Sequence, residues 1–309
     1  MEIDVDAPVK KTLLADLGDF GIVVDNVEGM TLGPVLDDGR QSLIIVSDDN
    51  FSAFGPQASQ FISLALDLQD IPTIAPVLET PDALRYDNPF DTTEGPDPDD
   101  PAVWLNPKDA DASTIVTAMK NGGLRVYDIE GNELQRIEPE GIRYNNVDVL
   151  YGAGKGKNTY DLAVASDREN DTLAIYRFKK DGTLKDATSC KIPETIFGVD
   201  DGEATAYGLA AYTAPDGRDY VFVTQADGNK IAQLELNQKG KNFTFDLVRT
   251  LELPVADGDE AEDYQAEGIV IDRETGIGYV AVEEELGLLS FSADPDGPAT
   301  FETVAPVDA

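Results

Sequence analysis

Two adjacent carboxylates, Asp99 and Asp100, stand between prolines in Asp97-Pro98-Asp99-Asp100-Pro101-Ala102-Val103-Trp104, directly before the only tryptophan of the chain. Hard cations such as Ca2+ take several oxygen ligands, and loops at strand ends can supply them. Pro101 cannot donate to a sheet ladder, which predicts that both acids sit in a loop ahead of an apolar strand. Similar acid- and amide-rich motifs recur in Asn145-Asn146-Val147-Asp148, Gln265-Ala266-Glu267-Gly268 and Glu283-Glu284-Glu285. The recurrence points to a multi-carboxylate metal site. In a chain with 60 acidic residues, any single acid is more often a solvated surface group,. Glu283-Glu284-Glu285 taken alone reads that way, whereas the acid pair between prolines is better placed.

Basic residues are few, so their placement is informative. Lys120 precedes Asn121-Gly122-Gly123, and Arg168 ends Ser166-Asp167-Arg168; each closes an apolar strand. Beside a carboxylate-bound metal, such cations suit an anionic, oxygen-rich ligand such as phosphate, which arginine grips in bidentate fashion. On composition alone, surface salt bridges are the simpler reading. The chain has no histidine, which removes Ser-His-Asp and Cys-His triads and histidine-ligated zinc,. The lone Cys190 has no internal disulfide partner,.

The formal charge of -37, from 60 acids against 23 bases, repels nucleic acid and anionic lipid,. Calcium ligation, a saline habitat and plain solubility compete as explanations, and the excess is too large for a single metal site alone. No apolar run approaches the length of a membrane span,. Residues 1–20 lack the basic and apolar regions of a signal peptide, and the start at Met1 reads like a chain cut from something longer,.

The elements that must position these residues are strands. Short apolar runs such as Ser42-Leu43-Ile44-Ile45-Val46, Leu162-Ala163-Val164-Ala165 and Tyr220-Val221-Phe222-Val223 break at Gly, Asp, Asn or Pro,. Asp181-Gly182, Asp216-Gly217 and Asp227-Gly228 fit hairpin turns,. Helical periodicity is nowhere sustained, so the class is all-β. Tyr160 to Phe178, Tyr220 to Leu236 and Ile277 to Phe291 read as copies of one unit, which favours propeller blades over a sandwich,. Loops from successive blades would then bring distant acids to one face. The expected organisation is a blade-like segment at 1–68, a Pro- and Asp-rich junction at 69–98, and a propeller at 99–309.

The run from Asp99 to Phe291 resembles the β-propeller phytases, calcium-dependent phosphatases of inositol hexakisphosphate. Matching stretches are Asp99 to Trp104, Gly123 to Tyr127, Asn145 to Val149, Asp161 to Arg168, Ala206 to Leu209, Gln265 to Gly268 and Tyr279 to Ala281 with the acids that follow. The resemblance implies four-stranded blades in a six-bladed family, several Ca2+ ions, and attack by metal-activated water. By that likeness Asp99, Glu267 and Glu284 hold catalytic Ca2+, with Glu283 alongside, and Asp100, Asn146 and the carbonyl of Val147 hold a structural Ca2+. Lys120, Arg168 and Tyr207 contact substrate phosphate. The implied partner is phytate as its calcium complex, acted on by a secreted or periplasmic monomer, with no nucleic acid or membrane involved.

The sequence also departs from the family. Asn121 stands where a second basic residue is frequent, and Ala226 where a phosphate-binding lysine is expected, with Lys230 out of register. The sequence stops at Ala309, six residues after Thr303, ahead of the family's later Asp-x-Glu-Gly motif and ring closure, so the propeller is expected to be incomplete. Residues 25–64 resemble the last part of the esterase-like phytase domain and also the missing blade, with Asn26 and Glu28 in place of the missing acids. A remnant of an upstream domain is the plainer alternative. The competing functional reading is a non-catalytic or degenerate calcium-binding propeller.

Overall fold

The computed structural model describes residues 17–20, 26–48, 60–66, 74–79, 97–156, 158–193, 195–198, 204–282 and 286–306. The described strands form five antiparallel sheets, each of four strands joined as a simple meander: β1–β4, β5–β8, β9–β12, β13–β16 and β17–β20. The first strands, β1 (Asn26–Val35), β5 (Pro98–Trp104), β9 (Tyr144–Lys155), β13 (Ala206–Thr213) and β17 (Ala266–Asp272), lie side by side in chain order. This is the blade arrangement of a propeller. Among the described residues, no helix is long and apolar enough to cross a membrane.

Strand position within a blade explains its composition. The second strands of inner blades, β6 (Thr114–Met119) and β14 (Asp219–Gln225), are buried on both faces, and their sequences are near-continuous apolar runs,. The fourth strand β8 (Glu133–Ile137) alternates exposed and half-buried residues as an edge does,. The three repeats read from sequence are the second and third strands of the last three blades: β10 (Asn158–Asp167) and β11 (Thr172–Phe178), the latter followed by β12 (Leu184–Asp186); β14 and β15 (Lys230–Lys239); and β18 (Ile277–Val282) and β19 (Gly287–Ser292). The Asp-Gly turns fall between strands as expected: Asp181-Gly182 between β11 and β12, Asp216-Gly217 between β13 and β14, and Asp227-Gly228 between β14 and β15. In the last turn Asp227, with φ +48, takes the left-handed conformation,.

The sheet β1–β4 is the first blade. β2 (Gln41–Asp48) and β3 (Gln60–Leu66) put Ile44, Val46 and Phe61 against Val103, Ile115, Met119 and Tyr127 of the second blade, and Phe61 meets the Tyr127 ring at 5.6 Å. In this blade Ile45, Phe61 and Leu64 are buried, and Leu43 is half-buried. The fourth strand, β4 (Ile74–Glu79), lies inside the stretch read as a junction. Pro76 obscured that strand, and an outer strand tolerates proline because one of its edges has no ladder,.

The opposite face of the first blade is apolar but incompletely covered. Met30 and Leu32 are 65% and 61% exposed, and Val270 of β17 is 58% exposed. A cavity of about 520 Å³ lies there, lined by Val27, Gly29 and Met30 on one side and Glu267 to Ile269 on the other. It reaches inward to Asp100 and Asn146.

If the first blade is an integral part of the propeller, Phe61→Ala destabilises the whole domain by about 3–5 kcal/mol. Met30→Ser, on the exposed face, leaves the melting midpoint within about a degree. Thermal unfolding of the two variants checks this, and equal midpoints would contradict the packing.

Candidate functional site

The acid pair lies in β5 itself rather than in a loop ahead of it. A bulge is the reason: Pro98 faces Met119 and Pro101 faces Thr117, so one extra residue is accommodated between them,. The bulge absorbs the missing N–H of Pro101 and turns both carboxylates toward the end of the blade. Gly29 of β1 fits closely here: a Cβ at that position would stand 3.1 Å from the Pro101 ring and 3.4 Å from an Asp100 carboxylate oxygen.

Asp99 is 2% exposed. Its Oδ1 meets the Lys120 ammonium at 2.7 Å, and its buried Oδ2 has no hydrogen-bond partner among the described residues. Burial raises the Asp99 pKa well above the usual carboxylate range; Lys120 opposes that rise, and Glu267 and Asp100 add to it. For Lys120, burial works to lower the pKa, but Asp99, Asp97 and Glu267 outweigh it and hold the pKa raised. Asp100 Oδ2 accepts the Val147 N–H at 2.9 Å. Loss of hydration pushes Asp100 up to about 8, against that hydrogen bond and with help from Asp148 and Glu267.

Glu267 reaches the same cluster from the fifth blade. Its Oε1 accepts from Asn145 Nδ2 at 2.7 Å and its Oε2 from the Tyr207 hydroxyl at 3.0 Å. β13 runs so close to β17 that a Cβ on Gly208 would fall 1.9 Å from the Glu267 carbonyl oxygen, and only glycine permits that approach,. Arg168 lies over the Tyr207 ring, 5.0 Å from its centroid, with Asp227 at 3.7 Å. Its Nε is buried without a hydrogen-bond partner among the described residues.

The structure therefore brings Asp99, Asp100, Lys120, Asn146, Val147, Glu267, Tyr207 and Arg168 to one end of the blades. Two of the residues expected to contact phosphate also bind the acids of the cluster. Lys120 pairs with Asp99, and the Tyr207 hydroxyl holds Glu267. Glu283, Glu284 and Glu285 lie outside the described residues. Asn26 and Glu28 belong to β1 by their backbone, and their side chains are outside the described set. Lys230 begins β15 (Lys230–Lys239), and Ala226 is fully buried, so neither supplies a cation in the register expected for the family lysine.

Sequence reasoning gave no role to Asn145 or Ser166. Asn145 is fully buried and also donates to Asn146 Oδ1 at 2.8 Å. Ser166 Oγ accepts the Asn146 N–H at 3.0 Å and donates to the Tyr207 carbonyl at 2.6 Å, tying two first strands together. The signal available was the adjacent amide pair Asn145-Asn146.

Among the described residues, no group of three or more acids or thiols converges tightly enough to hold an ion unaided. The donor set nevertheless fits a hard cation: the acids offer oxygen atoms, the carboxylates repel one another, and Asp99 Oδ2 is buried without a hydrogen-bond partner among the described residues,.

Comparison with known proteins follows the same lines. A sequence model of the Phytase family matches residues 81–309, and a second, described as esterase-like activity of phytase, matches residues 2–51. The 3-phytase of Bacillus subtilis (strain 168) is 32% identical over 211 residues, covering 67% of this chain and 50% of the relative. The chain thus spans about half the length of that curated relative. The periplasmic gluconolactonase PpgL of Pseudomonas aeruginosa superposes with a TM-score of 0.57 at 14% identity, over 89% of this chain and 70% of that one. A 6-phosphogluconolactonase assignment from Bacteroides fragilis gives 0.53 at 16% identity, over 94% and 73%. Identities this low carry the fold alone.

Lys120→Met leaves Asp99 buried without its counter-charge. Unfolding in chelator at neutral pH should show a loss of about 3–5 kcal/mol. An unchanged midpoint would mean that the pair does not form in solution.

Proposed function

The chain belongs to the phytase family, and from that premise we propose that it hydrolyses phosphomonoesters of myo-inositol hexakisphosphate with the help of several Ca2+ ions. The observation that carries the reading is the meeting of Asp99 and Asp100 of β5 with Glu267 of β17, bordered by Lys120 and Arg168. Asp99, Asp100, Glu267, Asn146 and the Val147 carbonyl would hold the ions, with Glu283 and Glu284 by family likeness. Bound calcium would supply positive charge against the phosphate oxygens and a more acidic water.

The chain's own residues do the rest. Tyr207 and Asn145 hold both oxygens of Glu267, so that carboxylate keeps one orientation. Arg168, stacked on Tyr207 and paired among the described residues only with Asp227 at 3.7 Å, would grip phosphate in bidentate fashion,. Lys120 would share its three donors between Asp99 and a phosphate oxygen. No covalent phosphoenzyme is needed, in keeping with a chain that has no histidine. Phytate is proposed to arrive as its calcium complex, outside the cytoplasm, at a monomeric enzyme.

One observation favours the second reading, a calcium-binding propeller without turnover. Asn121 and the buried Ala226 leave the outlying phosphate subsite without the cations expected there.

Phosphate release from phytate with calcium and with EDTA separates the two. The enzymatic reading predicts release that chelator abolishes. Asp99→Ala and Glu267→Ala should remove turnover while the chain stays folded, and Arg168→Ala should raise KM more than it lowers kcat. Wild-type turnover by the Asp99 variant at saturating calcium would sink the assignment.

Calcium should also stabilise the fold. A ligand bound only by the native state at a hundredfold excess over Kd adds about 2.7 kcal/mol. Melting in millimolar Ca2+ against EDTA reads it, and coincident curves would argue against calcium ligation.

A further inference from the structure

We propose that Asn145 is the positioning residue of this site: its amide fixes the Glu267 carboxylate and the Asn146 amide relative to each other, and so sets the affinity for the cation. The inference rests on the calcium reading above. A primary amide has two N–H groups. Asn145 directs one at Glu267 Oε1, 2.7 Å away, and one at Asn146 Oδ1, 2.8 Å away. Glu267 belongs to the fifth blade and Asn145 to the third, so one side chain spans the mouth between non-adjacent blades.

The remaining atom is informative. Asn145 is 0% exposed, and its Oδ1 is buried with no partner among the described residues. Buried polar atoms are ordinarily paired because an unpaired one is costly. An amide kept for packing alone would be replaced at little loss by an apolar side chain of the same shape. Here the two donors are used and the acceptor is left over, which is the pattern of a residue retained for what it orients. Partners that orient ligating side chains typically change metal affinity 10- to 100-fold when removed.

The test is a double-mutant cycle with Asn145→Leu and Glu267→Ala, using Ca2+ itself as the probe in calorimetry. Leucine keeps the approximate shape and removes both the donors and the unpartnered oxygen, so the fold is retained. The expected result is a loss of calcium affinity of about tenfold or more for Asn145→Leu in the wild-type background, and less than twofold in the Glu267→Ala background. Equal losses in both backgrounds, or no loss in either, overturn the proposal. The same cycle read by thermal unfolding in chelator needs no calcium. Coupling there together with a wild-type chain that binds no calcium overturns the calcium reading on which this role depends. Absence of coupling overturns the Asn145 contact alone.

Discussion

Packing blade on blade brings the first strands of the five sheets side by side, so carboxylates at one end of those strands are forced toward each other. Asp99 and Asp100 come from β5 and Glu267 from β17, and each of the two aspartates has its ionised form disfavoured by burial and by the neighbouring acids. The protein answers mainly with oriented donors. The Val147 N–H serves Asp100, Asn145 and Tyr207 serve Glu267, and one ammonium serves Asp99. Donors orient a carboxylate without cancelling its charge, and the Oδ2 of Asp99 receives none among the described residues. A divalent cation would complete such an arrangement, and that is the packing argument behind the calcium proposal.

Other acids in this very acidic chain are spent on the fold. Asp148 accepts the Ala211 N–H at 2.8 Å, Asp161 accepts the Trp104 indole N–H at 2.9 Å, and Asp219 accepts the Gly154 N–H at 3.1 Å. Each contact joins one blade to the next, so these carboxylates act as inter-blade ties. Trp104 is further fixed by stacking on Phe178 at 4.9 Å. An acid count therefore could not separate ligands from ties; only the position along the strand does.

The repeat of strands was legible because second strands buried on both faces carry apolar runs, as Tyr220 to Val223 of β14 do, and because Asp-Gly turns punctuate them. β4 was hidden by Pro76, which only an edge position allows. The placement of Asp99 and Asp100 in a loop followed correctly from the chemistry of Pro101 but overlooked a bulge, which satisfies the same constraint inside a strand. Lys120 and Arg168 stood out because cations are scarce. Asn145 did not, since its role depends on Glu267, which lies 122 residues away in sequence. Contacts between blades are set by packing and leave no local pattern to read.

We propose that the Asp99 Oδ2, which has no hydrogen-bond partner among the described residues, belongs to a cation site. Diffraction from crystals grown with Ca2+ tests it most directly. The account predicts an ion about 2.3–2.6 Å from Asp99 Oδ2, with Glu267 still bonded to Asn145 and Tyr207. Crystals saturated with calcium in which Asp99 contacts only Lys120, and no ion lies near Oδ2, would contradict it.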